Sequence, residues 1–242
     1  MASKARGVCD IVFLIDATGS MQPCIDDIKN NIKLFFRSLE DPWSADCGAP
    51  VKDWRARVIG YRDPAADGAD WYVSNPFVTD VASVEAQLDD LQAYGGGDEP
   101  EGLLDALHKV SSWDETEKGA QEIDAEKWRN KHDAARCVAI FTDASFTETT
   151  TLPEAPGLHL PDIAGMVTAA RLRISLFAPQ MDCYDDLAAV DRLEYHGFAF
   201  DPDVRGDAVQ KLRDLTSDIP QFQKTIRQLS RTFSAFSYED VL

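Results

Sequence analysis

The run of five apolar residues from Ile11 to Ile15 constrains the fold of this chain more than any other feature. The run is short, rich in β-branched residues and followed by turn-forming residues, which is typical of a parallel strand buried on both faces. Asp16, Thr18 and Ser20 come next at alternate positions, and an amphipathic segment follows them. The sequence therefore predicts a central strand, a tight turn and a helix, with oxygen-bearing side chains at the carboxyl end of the strand.

Apolar runs and helical periods alternate along the rest of the chain. Strands are predicted over residues 55–62, 71–78, 137–142, 173–178 and 195–200. Helices are predicted over residues 20–39, 81–92, 103–112, 161–171, 183–194, 206–217 and 220–234. Loops are predicted over 41–53 and 147–160, and a loop or exposed, partly helical insertion over 114–134. This alternation indicates an α/β fold: a doubly wound, mostly parallel central sheet with helices on both faces and one antiparallel edge strand.

No internal repeat, low-complexity tract or break in composition divides the 242 residues. We therefore predict a single domain over residues 1–242, with a core over about 8–200 and a C-terminal helical extension over about 205–235. An α/β domain of this length can bury a sizeable core.

The composition excludes several classes of function. The chain has 42 acidic and 24 basic residues, a net charge of −18, and no evident cluster of Lys and Arg, so we expect no nucleic-acid binding. No stretch approaches the roughly 18 apolar residues of a membrane span, so we expect no membrane partner. The amino terminus shows no apolar signal region, and the five cysteines form no CxxC pair. These features favour a cytoplasmic protein in a reducing compartment.

Acidic groups are predicted at three places that such a sheet brings together. Asp16, with Thr18 and Ser20, ends the first strand. Asp98 lies in a glycine-rich segment before a predicted helix, and Asp143 directly follows a second buried strand. Open α/β sheets bind ligands at the carboxyl ends of their strands. Carboxylate and hydroxyl oxygens are hard donors, which suit Mg²⁺, Mn²⁺ or Ca²⁺ better than a soft metal.

The segment Asp16-Ala-Thr-Gly-Ser-Met21 resembles the metal-ion-dependent adhesion site of von Willebrand factor type A domains, whose pattern is Asp-x-Ser/Thr-x-Ser. Phe-Thr-Asp143-Ala resembles the third loop of that site, and the order of elements over roughly residues 8–200 is similar to that of the family. The resemblance implies a Rossmann-like fold and a bound divalent cation. Mg²⁺ is the first choice, with Mn²⁺ or Ca²⁺ as alternatives.

The second loop differs from the common pattern, which usually has a Thr just before a helix. Gly95-Gly-Gly-Asp98-Glu-Pro-Glu101 resembles instead the Gly-Gly-Asp-x-Pro-Glu variant of type A domains attached to alpha-type kinases and of hemicentin-like proteins. Tyr61-Arg-Asp63 also resembles that subset. By this resemblance Asp98 takes the place of the Thr. The implied metal ligands are Asp16, Thr18, Ser20, Asp98 and Asp143.

Three carboxylates around one ion have two consequences. In water they repel one another by roughly 1 kcal/mol per pair, and more in a shielded cleft, so a bound dication should raise the melting temperature. They also make the ion less electrophilic. In the family, an acidic residue of a protein partner often completes the metal shell, and we expect such a partner to bind here more weakly than at a site with a Thr.

Three neighbouring acidic residues each have two interpretations. Glu99 and Glu101 either approach the metal or complement the dipole of the helix that follows, with Pro100 in its first turn. Asp63 either supports the metal ligands or is a turn residue before Pro64.

The resemblance implies a non-catalytic, metal-dependent protein-interaction module that acts as an adaptor in a multi-component intracellular assembly. One alternative is a metal-independent scaffold with the same fold, which the missing Thr permits. The other is a Mg²⁺-dependent phosphohydrolase, because a strand followed by Asp-x-Thr-Gly resembles the start of haloacid-dehalogenase-like phosphatases. Those enzymes have an acid two residues beyond the nucleophile, where this chain has Thr18, so we predict no catalytic residue.

Overall fold

The computed structural model describes residues 8–40, 53–97 and 99–217. Within these ranges a single six-stranded sheet forms the centre of the fold, in the spatial order β3-β2-β1-β4-β5-β6. Its strands are β1 (Val8–Asp16), β2 (Asp53–Tyr61), β3 (Tyr72–Ser74), β4 (Ala135–Phe141), β5 (Leu172–Pro179) and β6 (Leu193–Phe198). All neighbouring pairs are parallel except β2 and β3, which are antiparallel.

Helices cover both faces of this sheet. They are α1 (Ile25–Glu40), α2 (Pro64–Asp67), α3 (Val81–Asp90), α4 (Leu103–Ser111), α5 (Leu160–Ala169), α6 (Asp182–Ala188) and α7 (Asp207–Ser217). Apolar residues of α1, α3 and α7 pack on one face, and those of α4, α5 and α6 pack on the other. The predicted fold class, a doubly wound and mostly parallel sheet with helices on both faces, is therefore confirmed.

The central strand β1 is apolar from Ile11 to Ile15 because helices cover both of its faces. Ile11, Phe13 and Ile15 lie in the cluster under α1, while Val12 and Leu14 lie in the cluster under α4. Because both faces of the strand are covered, every one of these side chains is buried. The strand ends with Asp16 at the edge of the sheet where β4 also ends.

Several predicted boundaries differ from the structure. Residues 64–71, predicted as loop and strand, form α2 and a 3-10 turn, because Asp63 caps α2 by accepting a hydrogen bond from Ala65 N at 2.8 Å. The antiparallel edge strand is consequently shorter than the predicted 71–78, and only an isolated bridge joins Val78 to Ala56. The first helix begins as a 3-10 turn over Gly19–Met21, with α1 starting at Ile25.

Pro100 lies before α4 and not in its first turn, so that prediction was wrong. The backbone of Glu101 pairs instead with the loop after β4, and the helix starts two residues later at Leu103. Of the predicted loop over 41–53, residues 41–52 lie outside the described residues and Asp53 begins β2. The predicted terminal helix over 220–234 also lies outside the described residues. Among the residues described, no helix is long and apolar enough to cross a bilayer.

The segment between α4 and β4 contains neither a helix nor a strand. It is anchored by Trp128, which is fully buried and donates a hydrogen bond from Nε1 to Val110 O at 2.9 Å. Trp128 also packs against Phe77 and Trp113. The segment therefore lies on the face of the sheet that α4 covers, where Trp128 belongs to the core.

Candidate metal centre

The carboxyl ends of β1 and β4 bring four of the predicted metal ligands together. Asp16 is the last residue of β1, and the chain then turns so that Thr18 and Ser20 follow close to it. Asp143 lies two residues beyond the end of β4, the parallel neighbour of β1. The turn is held by a hydrogen bond from Gly19 N to Gly95 O at 3.1 Å.

The side-chain oxygens of these four residues form a continuous row of close contacts, which begins and ends with a hydrogen bond to a carboxylate. Thr18 donates to Asp16 Oδ1 from its backbone N at 3.0 Å and from Oγ1 at 2.7 Å. Thr18 Oγ1 and Ser20 Oγ lie 3.0 Å apart, and Ser20 Oγ donates to Asp143 Oδ1 at 3.0 Å. The oxygens of the first and third loops therefore face one another across a space of a few ångströms.

Thr142 holds the other side of the Asp16 carboxylate. Its Oγ1 donates to Asp16 Oδ2 at 2.7 Å, and the Thr142 side chain is buried. The sequence pattern predicts Thr142 only as the end of a strand. The available signal for its role is its position: it follows β4, the strand beside β1, and directly precedes Asp143.

Burial makes this arrangement unfavourable for negative charge. Asp16 is 0% exposed, and burial raises its pKa although hydrogen bonds from Thr18 and Thr142 act in the opposite direction. Burial, followed by the charge of Asp16, raises the pKa of Asp143 to about 7. A cation at this place would offset both effects, because it supplies the positive charge that desolvated carboxylates lack.

Glu101 is a further buried carboxylate beside these groups. Only 4% of it is exposed, and its Oε2 has no hydrogen-bond partner in the described part of the chain. A Cβ atom built on Gly96 would lie 2.7 Å from Thr18 Cβ and 3.0 Å from Glu101 Oε1, so this loop brings Thr18 and Glu101 to the same place. Burial, followed by the charges of nearby carboxylates including Asp16 and Asp143, raises the pKa of Glu101 to about 8.

Three other acidic residues considered in the sequence, Asp98, Glu99 and Asp63, are not part of this group of side chains in the described structure. Asp98, the predicted ligand of the second loop, lies outside the described residues. Glu99 is exposed and accepts a hydrogen bond from Ser145 Oγ at 3.1 Å. Asp63 caps α2, which agrees with its interpretation as a turn residue.

The donor set fits a hard divalent cation. In residues 8–40, 53–97 and 99–217, no three His, Cys, Asp or Glu side chains are grouped so that they could hold an ion by themselves. The groups brought together are instead two carboxylates and two hydroxyls, from Asp16, Asp143, Thr18 and Ser20. Oxygen donors of this kind suit Mg²⁺, Mn²⁺ or Ca²⁺, and Mg²⁺ ordinarily keeps several waters beside one or two carboxylates.

Comparison with solved structures supports the fold. Proximal thread matrix protein 1 from the mussel byssus superposes with a TM-score of 0.54 and 14% identity, over 90% of this chain and 46% of that chain. A structure of the same mussel protein "with zinc occupied MIDAS motif" superposes with a TM-score of 0.51 and 14% identity, over 91% of this chain and 50% of that chain. This chain thus spans about half the length of the mussel protein. No protein family and no curated protein matches the sequence.

At this level of identity the comparison establishes the fold and not the role of any residue. The shared architecture is the mostly parallel, Rossmann-like sheet that the resemblance to von Willebrand factor type A domains implied.

Proposed function

We propose that this chain is a non-catalytic protein-interaction module built around a divalent-cation site. The observation that carries the proposal is the row of side-chain oxygens from Asp16 through Thr18 and Ser20 to Asp143, which lies between two buried carboxylates with raised pKa values. Such a pair is costly without a cation and favourable with one. Mg²⁺ is the proposed ion.

The chain's own residues would orient the ligands before the ion arrives. Thr18 and Thr142 hold the two oxygens of Asp16 in fixed directions, and Ser20 does the same for Oδ1 of Asp143. A bound ion would supply a Lewis-acidic coordination position, at which an oxygen of a partner protein could bind. No proton transfer or bond cleavage is required of any residue in this scheme.

Two acidic residues of the second loop are candidate metal ligands. Asp98 stays a proposed ligand on the strength of the sequence resemblance. Glu101 is an additional one, because its buried carboxylate lies beside Thr18 and one of its oxygens has no partner in the described structure. Comparing D98N with E101Q in a metal titration assigns the role, since only loss of a ligand should weaken binding strongly.

We further propose that the partner is a protein and that the module acts as an adaptor in a multi-component intracellular assembly. Asp16, Asp98 and Asp143 together would leave a site with a dication at a net negative charge. A partner carboxylate would then meet an ion that is already neutralised. We therefore expect an acidic peptide to bind the metal-loaded protein weakly, and tight binding in a titration would contradict this.

One observation favours a metal-independent scaffold as the second candidate. Thr18 donates a hydrogen bond to Asp16 and Ser20 donates one to Asp143, so the fold can close this end of the sheet with protein atoms alone. On this reading the two carboxyls would share protons and the partner would bind elsewhere on the surface.

Thermal unfolding separates the two candidates. Mg²⁺, Mn²⁺ or Ca²⁺ added to chelated protein at 100 times its Kd should stabilise it by about 2.7 kcal/mol, which is roughly 5–10 °C for a domain of this size. The shift should disappear in D16A. D105N is a matched control, because Asp105 is equally buried but binds Thr151 and Leu152. D105N should keep the metal-dependent shift, and absence of a shift in the unaltered protein would favour the scaffold.

A further inference from the structure

Arg62 is a buried cation that the proposed site does not yet use. It follows β2 directly, as the middle residue of the Tyr61-Arg62-Asp63 motif, and only 1% of it is exposed. Within the described ranges it forms no ion pair with any carboxylate. A buried guanidinium without a counter-ion is costly unless its N–H groups are satisfied by other acceptors, so its partners indicate its role.

Those partners are four backbone carbonyls. Nε donates to Ala17 O and Tyr94 O, each at 2.9 Å. Nη1 donates to Asp70 O and Nη2 to Gln92 O, each at 2.7 Å. The guanidinium also lies 3.7 Å from the centre of the Tyr94 ring. Hydrogen bonds from a charged donor are roughly twice as strong as neutral ones, so this group is a strong link between chain segments.

The segments joined by Arg62 are those that form the metal centre. Ala17 stands between Asp16 and Thr18, and its own carbonyl also accepts from Tyr94 N at 2.9 Å. Gln92 and Tyr94 lead into the glycine loop that contacts Thr18. Gly95 of that loop accepts a hydrogen bond from Gly19 N, which lies in the turn after β1.

The third segment closes the same network. Asp70 lies in the 3-10 turn after α2, and Asp67, in α2, accepts a hydrogen bond from Gly96 N at 2.9 Å. One side chain thus fixes the first loop, the glycine loop and the turn after β2 relative to one another.

We propose that Arg62 is the positioning residue of the metal centre: it sets the peptide at Ala17, and through it the directions of Asp16 and Thr18, before an ion binds. This inference rests on the proposed metal-binding function and assigns Arg62 a part in it. Residues that orient metal ligands without touching the metal typically change its affinity about 10- to 100-fold when altered. Arg62 should therefore control affinity for the ion and not only folding.

The alternative is that Arg62 merely stabilises the fold, and Arg136 offers the matched control. Arg136 is 4% exposed and also donates to backbone carbonyls, from Nε to Arg129 O and from Nη1 to Ala170 O, each at 3.0 Å. It lies near the start of β4, at the opposite end of the sheet from Asp143. Substituting either arginine by Met removes a buried guanidinium and its carbonyl contacts, and R136M also removes the ion pair of Arg136 with Glu115.

The test measures the Kd for Mg²⁺ and Mn²⁺ by calorimetry, beside the melting temperature of chelated protein, for the unaltered chain, R62M, R62K and R136M. Both Met variants should melt lower, but only R62M should weaken the Kd, by about 10- to 100-fold. R62K keeps the charge but cannot reach four carbonyls, so its Kd should also weaken. Hydrogen exchange at the amides of Gly19 and Tyr94 should accelerate in R62M and not in R136M.

The outcomes separate this inference from the proposed function. If the unaltered protein binds no divalent ion, the proposed function fails and the role of Arg62 fails with it. If the unaltered protein binds an ion but folded R62M and R62K keep its Kd, the metal site stands and the positioning role is wrong. If R136M weakens the Kd as much as R62M, the effect is one of general stability and the inference is also overturned. If R62M does not fold, the Kd of R62K decides.

Discussion

At the scale of single residues, the candidate site depends on how one carboxylate is held. Asp16 uses Oδ1 to accept from Thr18 and Oδ2 to accept from Thr142. The first contact is local and could be predicted from the spacing Asp-x-Thr in the sequence. The second joins the ends of two strands that are far apart in sequence, so it needs the register of β1 against β4. That register is a tertiary property, and no local pattern reveals it.

Thr142→Val removes this second contact while keeping the shape of the side chain. Leaving a buried acceptor without its donor should reduce the free energy of unfolding of chelated protein by about 1–3 kcal/mol, as measured by denaturant titration. The Kd for Mg²⁺ should also weaken, because Asp16 would lose its fixed direction. Thr150→Val is the control, since Thr150 is buried and accepts from Leu158 N at 2.9 Å away from these ligands. It should lower stability alone, and an unchanged Kd in T142V would contradict the role of Thr142.

At the scale of elements, the start of α4 is joined to the loop that carries Asp143. Glu101 N donates to Ser145 O at 2.9 Å, and Thr147 N donates to Glu101 O at 3.1 Å. Through these contacts the backbone just before α4 forms an isolated parallel β-bridge with that loop. They also explain why Glu101 is buried, whereas a first-turn residue of an exposed helix end would face solvent.

Gly102 is where this junction packs most closely. A Cβ atom built on Gly102 would lie 2.5 Å from Arg62 O and 2.6 Å from Pro64 Cδ, so Gly102→Ala must displace backbone. We expect a loss of about 1–3 kcal/mol in the free energy of unfolding together with a weaker Kd for Mg²⁺.

The matched control for this substitution is Gly165→Ala. Gly165 lies exposed within α5, and a Cβ atom there would meet nothing within 4 Å. That variant should gain about 0.5–1 kcal/mol in the free energy of unfolding and keep the Kd. If G102A binds Mg²⁺ normally, then the junction of α4 with the turn after β2 does not shape the metal site.

The elements predicted well from the sequence are those with an extended apolar pattern, either a continuous run or a helical repeat. β1 and β4 are continuous apolar runs, and α1 and α4 repeat apolar residues at helical spacing, so the presence and type of each element were predicted, although the starts of both helices differ. The short α2 was missed because a four-residue helix carries no period. Its signal was the sequence Asp63-Pro64, a capping residue before a proline at the first helical position.

At the scale of the whole molecule, ion pairing differs between the two ends of the sheet. Asp16, Asp143 and Glu101 lie at the carboxyl ends of the strands. The only buried arginine described at that end, Arg62, donates to backbone carbonyls, whereas toward the amino ends Arg55 pairs with Asp10 at 2.6 Å. A carboxylate thus neutralises a buried arginine at the amino ends of the strands. At the carboxyl ends, Asp16, Asp143 and Glu101 form no ion pair in the described part of the chain. This asymmetry is the physical reason for expecting a cation there.

The same asymmetry predicts how the stability of the metal-free protein depends on pH. The pKa values of Asp143, about 7, and Glu101, about 8, lie above the ordinary values of 3.8 and 4.5. Between these limits the folded protein therefore holds more protons than the unfolded chain, and the free energy of unfolding must decrease as pH rises. His108 and His196 act in the opposite direction below about pH 6.5, because burial lowers their pKa values.

The informative window is consequently about pH 7 to 8, where unfolded histidines are mostly neutral and unfolded thiols are mostly protonated. Across it, chelated protein should lose stability with rising pH, by at most about 1.4 kcal/mol per pH unit for each proton released. Saturating Mg²⁺ should remove most of this loss, because the ion replaces the carboxyl protons, and Glu101→Gln should reduce the slope. Glu122→Gln removes an exposed charge and should leave the slope unchanged. Denaturant titrations at several pH values measure each slope, and chelated protein that grows more stable across this window would show that these buried carboxyls are already ionised.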